Sequence, residues 1–137
     1  MSTRPSRFPP AFIAAVERAS IVGVRAGRGR HRVLPVWAVV VDGRVFVRSW
    51  ARSPDGWNAV LRRERVGSLH VGTRARRIRA VATRSARLLA DVSRAYAGKY
   101  HTPGSRRFVR DMSRPACRAT TLELVPAAAP PPRRATR

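Results

Sequence analysis

Residues 36–50 read Val36-Trp37-Ala38-Val39-Val40-Val41-Asp42-Gly43-Arg44-Val45-Phe46-Val47-Arg48-Ser49-Trp50. Two runs rich in β-branched and aromatic residues flank Asp42-Gly43, a pair suited to a type I′ turn, which needs φ > 0 at both central positions. The stretch is therefore a β-hairpin, and a two-residue turn sets its register. Val41 faces Arg44, Val40 faces Val45, Val39 faces Phe46, Ala38 faces Val47 and Trp37 faces Arg48. Side chains alternate across a strand. One face then carries Val36, Ala38, Val40, Val45, Val47 and Ser49, small enough to fill the tapered interior of a small barrel. The other carries Trp37, Val39, Val41, Arg44, Phe46, Arg48 and Trp50.

Outward from the hairpin, helices and strands alternate. A helix starts at Pro9 or Pro10, where proline suits the first turn, with Phe12, Val16 and Ala19 on one face. Ile21 to Val24 reads as a short strand. Ser53-Pro54-Asp55 reads as an N-cap, a proline at the first helical position and an acid in the first turn, opening a helix through Trp57, Val60 and Leu61 to about Glu64. Ser68 to Val71 and Arg77 to Thr83 are two further strands. Ala86 to Tyr100 sets Leu88, Leu89, Val92 and Tyr96 at helical spacing. Phe108 and Met112 mark another short helix, and Thr120 to Val125 a last strand. Strand pairs interrupted by helices predict an α+β fold with a mostly antiparallel sheet, short enough in its strands for a small barrel with helices outside. The domain spans 8–125, between a loose N-terminus at 1–7 and a Pro/Ala/Arg tail at 126–137 that is expected to be disordered.

The chain has 137 residues, one ordinary domain, with 29 basic residues against seven acidic and a formal charge of +22. Such a field attracts polyanions, and nucleic acid is the obvious partner. Composition offers the plainer reading: Lys99 is the only lysine, and a chain rich in Arg, Ala, Gly and Pro suits a GC-rich genome. The longest apolar run, Val33 to Val41, is too short for a membrane span, and Phe8 to Ser20 is a poor signal-peptide core. A cytoplasmic protein without membrane contact is expected. With one cysteine, Cys117, an intramolecular disulfide is excluded. His31, His70 and His101 are far apart, so no metal site is expected. The seven carboxylates form no pair for acid–base work.

The face bearing Trp37, Phe46, Arg48 and Trp50 has three readings. A helix covers it, a second copy of the chain covers it as a homodimer, or it holds a planar phosphorylated ligand. The run Arg48-Ser49-Trp50-Ala51-Arg52-Ser53-Pro54-Asp55-Gly56-Trp57 favours the third. A strand end feeds a polar loop and then a helix N-terminus, whose free N–H groups bind anions, and arginine adds bidentate contacts to phosphate.

The same hairpin, followed by Gly56-Trp57, Tyr96-Ala97-Gly98-Lys99-Tyr100, Val109-Arg110-Asp111-Met112 and Ala119-Thr120-Thr121-Leu122-Glu123-Leu124, resembles a small bacterial family known only as a domain of unknown function. That family is similar to the split-barrel superfamily that binds flavin or deazaflavin, including pyridoxamine-phosphate-oxidase-like proteins and deazaflavin-dependent nitroreductases. The resemblance runs from Phe8 to Val125 and implies a split β-barrel. It also implies an oxidoreductase-like protein holding flavin mononucleotide (FMN) or a deazaflavin coenzyme, with Arg48, Ser49, Arg52 and Trp57 at the cofactor phosphate and Lys99 in a shared Tyr-x-x-Lys-Tyr pattern. The aromatic face and the polar loop add Trp37 and Ser53 to the cofactor-binding set. The alternative is a non-catalytic basic module for nucleic acid or another polyanion.

Overall fold

A computed structural model describes residues 7–29, 31–51 and 53–127. In chain order the elements are α1 (Pro10–Arg18), β1 (Val22–Ala26), β2 (Leu34–Val36), β3 (Ala38–Val41), β4 (Arg44–Val47), α2 (Trp57–Glu64), β5 (Val66–Val71), β6 (Arg74–Ala82), α3 (Ala86–Lys99), α4 (Pro103–Met112), α5 (Pro115–Arg118) and β7 (Leu122–Pro126). The Asp42-Gly43 turn has φ of 53° and 72°, as a type I′ turn requires. The β3–β4 register is Ala38↔Val47, Val39↔Phe46, Val40↔Val45 and Val41↔Arg44.

The seven strands form one sheet in the order β2-β1-β5-β6-β7-β4-β3, with every neighbouring pair antiparallel. The two edge strands, β2 and β3, are separated in the chain by Trp37 alone. Two Cα steps span about 7 Å, so the sheet must curl until its edges meet. The result is a nearly closed barrel, split at Trp37, with helices outside. The architecture is α+β, as the alternation of hairpins and helices predicts.

Closure breaks the run that reads as a single strand from Val36 to Val41. Val36 pairs with Val22 of β1, whereas Ala38 pairs with Val47 of β4, because the chain changes neighbours at Trp37. β4 likewise ends at Val47 rather than continuing to Trp50. The helix expected from Pro54 begins three residues later, at Trp57. The Ser53 carbonyl accepts the Gly56 N–H at 3.1 Å and its hydroxyl accepts the Asp55 N–H at 3.3 Å. These bonds close a turn instead of a first helical turn. β7 takes in Pro126, one residue past the boundary read from composition, and the Ala127 N–H donates to Arg77 O at 3.0 Å. Residues 128–137 of the tail lie outside the described residues.

The small-aliphatic hairpin face, with Ala38, Val45 and Val47, joins Val24, Leu69, Ile78, Leu122 and Leu124 in the barrel interior, where Phe12 and Val16 of α1 and Leu61 of α2 also pack. A glycine is required at position 67, because an added Cβ would overlap the carbonyl oxygen of Arg25 on β1. A second core lies outside the barrel. There Val39 and Phe46 meet Val92 and Tyr96 of α3, Tyr100 just after it, and Val109 and Met112 of α4. The aromatic face is thus covered by helices of the same chain. Phe46 is fully buried, a burial that stabilises by about 1.5–3 kcal/mol. Of the aromatic surface that suggested a second copy, only Trp50 stays exposed, at 53%.

Candidate functional site

Arg48 follows β4 and is 2% exposed. Its Nε donates to Thr121 Oγ1 at 2.7 Å. Its Nη1 donates to Ser93 Oγ at 2.8 Å and to the Met112 carbonyl at 3.3 Å. Its Nη2 donates to the Leu89 carbonyl at 2.7 Å. Four donations tie the barrel to α3, to the end of α4 and to the residue before β7. Burial brings the guanidinium down to about 10, so it remains a cation at neutral pH. The guanidinium expected to face outward is instead buried and turned into this network.

The backbone of Arg48 is engaged as well. In the hairpin register, Arg48 N–H should next pair with Trp37 C=O. Instead it donates to the Tyr96 hydroxyl at 3.0 Å, and that hydroxyl donates to Trp37 O at 2.7 Å. The phenol stands in for a ladder rung at the split of the barrel. One turn further along α3, Lys99 Nζ donates to Ala38 O at 2.7 Å and to Val16 O at 3.0 Å. The single Tyr100 hydroxyl proton is shared between Ser20 O at 2.8 Å and Ala38 O at 3.3 Å. Lys99 and Tyr100 thus cap the outward carbonyl of Ala38 on the edge strand β3, which has no neighbour on that side to pair it. Burial lowers the Lys99 pKa, partly offset by Glu17; it raises that of Tyr96 and pushes Tyr100 up to about 12.

Beside this network lies a cavity of about 310 Å³, at the small end for ligand pockets. Trp37, Trp50, Trp57, Phe108 and Met112 line it, together with Arg48 and Ser49. Trp37 is stacked on Tyr100, with centroids 4.2 Å apart and planes at 5°. Phe108 meets Trp37 and Trp50 edge-on at 6.2 Å and 5.4 Å. Trp50 Nε1 donates to Asp111 Oδ2 at 3.2 Å. Trp57 is the first residue of α2.

Of the residues expected around a cofactor, the structure brings Trp37, Arg48, Ser49 and Trp57 to one cavity. Ser49 is buried there, its N–H donating to Thr120 Oγ1 at 2.9 Å and its hydroxyl to Ala51 O. Ser53 lies in the preceding turn and Lys99 at the barrel split, and neither lines the cavity. Arg52 lies outside the described residues. Sequence reasoning missed Phe108 and Met112, legible only as the apolar side of a short helix, and left Trp50 off the site. The usable signal was that all three tryptophans of the chain fall within residues 37–57.

A family model described as "Uncharacterized protein conserved in bacteria (DUF2255)" matches residues 11–124. No curated protein compared with the chain matches it. Among solved structures, the conserved hypothetical protein Rv2991 from Mycobacterium tuberculosis is similar, with a TM-score of 0.56 at 16% identity over 93% of this chain and 86% of that one. At that identity the likeness is one of fold.

Proposed function

The chain belongs to this DUF2255 family of bacterial proteins, and on that footing we propose that its barrel binds a flat cofactor ring of flavin or deazaflavin type in the three-tryptophan cavity. One observation carries the reading: all three tryptophans, from the barrel split, the loop after β4 and the start of α2, line one cavity. Trp50 is more than half exposed, held by the edge of Phe108 and by Asp111, so much of its indole is open to solvent. Each stacked aromatic pair adds about 0.5–1.5 kcal/mol beyond the area it buries.

The lining fits a ring system better than a phosphate. Arg48 is the one basic residue of the lining among the described residues, and its guanidinium already donates to Thr121, Ser93, Met112 and Leu89. No carboxylate, histidine or thiol lines the cavity among the described residues. When bound, a flavin or deazaflavin supplies hydride or electron transfer. The chain's part is to stack the ring, orient it and exclude water.

The test is a titration of the protein with riboflavin, FMN and a deazaflavin, followed by tryptophan fluorescence. Saturable quenching is expected, with riboflavin and FMN binding within a few-fold of each other because the phosphate has no dedicated arginine. Trp50→Ala is expected to weaken both about tenfold. Absence of saturable quenching by all three compounds would overturn the proposal.

A further inference from the structure

A second concavity, of about 650 Å³, opens where the end of α2, the end of β6 and the start of β7 meet. Arg62, Arg65, Arg79 and Arg84 line it with Thr83, and its other lining residues are alanine, valine and leucine. It shares no lining residue with the aromatic cavity.

The four guanidiniums come from different parts of the fold. Arg62 lies in the last turn of α2. Arg65 caps that helix in the left-handed conformation, with φ of 66°, which costs a non-glycine residue on the order of 1 kcal/mol or more. It is held there by its N–H on Leu61 O at 2.7 Å and by Ala80 N–H on its own carbonyl at 2.8 Å. Arg79 lies on β6 between Val66 and Val125, and Arg84 follows the end of that strand.

Nothing among the described residues neutralises them. The ion pairs there are Arg44–Glu123, Arg94–Asp91 and Arg114–Asp111, and no carboxylate lines the groove. The Thr83 hydroxyl oxygen, itself closed off from solvent, has no hydrogen-bond partner, which is uncommon in native proteins. Four like charges around one hollow repel one another, and an oxyanion relieves that repulsion.

We infer that this groove binds the phosphate chain of a di- or triphosphate. One phosphate presents oxygens for one or two arginine forks, whereas four arginines spread over three segments match a chain of two or three phosphates. Nucleic acid suits the groove less well, because no aromatic side chain in its lining offers a base a stacking surface.

The test is calorimetric titration with inorganic triphosphate, pyrophosphate, orthophosphate and a short duplex DNA. The proteins are wild type, Arg79→Gln, Arg84→Gln, Thr83→Val and, as a charge-matched control, Arg107→Gln on α4. The four positions are exposed or half-buried, and circular dichroism checks that each variant folds. Triphosphate is expected to bind more tightly than orthophosphate. Each groove arginine variant should lose about tenfold or more in triphosphate affinity, Thr83→Val a few-fold, and Arg107→Gln less than about twofold. An equal loss in Arg107→Gln would show general attraction to a +22 chain and overturn the inference. So would DNA binding without triphosphate binding.

Discussion

The backbone N–H of Arg48 donates to the phenolic oxygen of Tyr96, 3.0 Å away, at the point where a β-ladder would put a carbonyl. The same oxygen donates to the carbonyl of Trp37, so one hydroxyl on α3 completes the hairpin and closes it against the helix. The barrel can open at Trp37 without leaving buried backbone groups unpaired. The open end is where the aromatic cavity forms.

Tyr96→Phe removes that hydroxyl and little else. Two buried backbone groups lose their partner, at about 1–3 kcal/mol each. Urea unfolding of the variant is expected to show a loss on the order of 2–6 kcal/mol. A loss below about 0.5 kcal/mol would mean that the two groups pair directly once the phenol is gone.

Arg48→Ala is expected to cost about 3 kcal/mol or more of stability, because two carbonyls and two hydroxyls lose a charged donor in a buried site. Arg48→Lys should recover less than half of this, since an ammonium cannot reach α3, α4 and Thr121 together. Thermal unfolding of the two variants checks both statements. If Arg48→Ala keeps wild-type stability while losing affinity for FMN but not for riboflavin, the side chain serves a phosphate after all.

For Lys99 the expected role is structural. Lys99→Met keeps the apolar stem but loses the donations to Val16 O and Ala38 O. A destabilisation of about 1–3 kcal/mol is expected, with the tryptophan quenching by ring compounds unchanged in the folded variant. A change in that quenching, with stability intact, would place Lys99 at the ligand instead.

Alkaline pH gives a separate check. The chain has two tyrosines, Tyr96 and Tyr100, and burial raises both above the ordinary 10.0. The folded state therefore holds protons that the unfolded state releases above pH 10. The stability they contribute is present below about pH 10 and is lost as pH rises toward the folded value, about 12 for Tyr100. Lys99, whose pKa burial lowers, acts in the opposite direction, its charged form being disfavoured in the folded state below 10.5. Absorbance at the tyrosinate band should stay flat through pH 10 and rise together with the loss of circular dichroism. A gradual rise near pH 10 with the fold intact would show that the hydroxyls are not held as described.

Much of the barrel was legible in residues 36–50, because turn chemistry and strand alternation are local. Asp42-Gly43 admits the turn, the turn sets the register, and the register separates a small-aliphatic face from an aromatic one. The site was legible only in part. Trp37, Arg48, Ser49 and Trp57 were singled out and do meet, but Lys99 and Ser53 were drawn to the same place and lie elsewhere. A lone lysine reads alike whether it holds a ligand or two backbone carbonyls, and Ser53-Pro54-Asp55 reads alike as a helix cap or a turn.

The residue pattern by itself determined the α+β class, the hairpin register, the faces of α1 and α3 and the excess of positive charge, all of which follow from spacing and composition. Only the tertiary structure decided what covers the aromatic face, and that Arg48 turns inward. Those outcomes depend on Leu89, Ser93 and Tyr96 of α3, Met112 of α4, and Thr120 and Thr121 before β7 arriving at one point. They lie more than 40 residues along the chain from Arg48. Their convergence is set by closure of the barrel at Trp37, which no local pattern records.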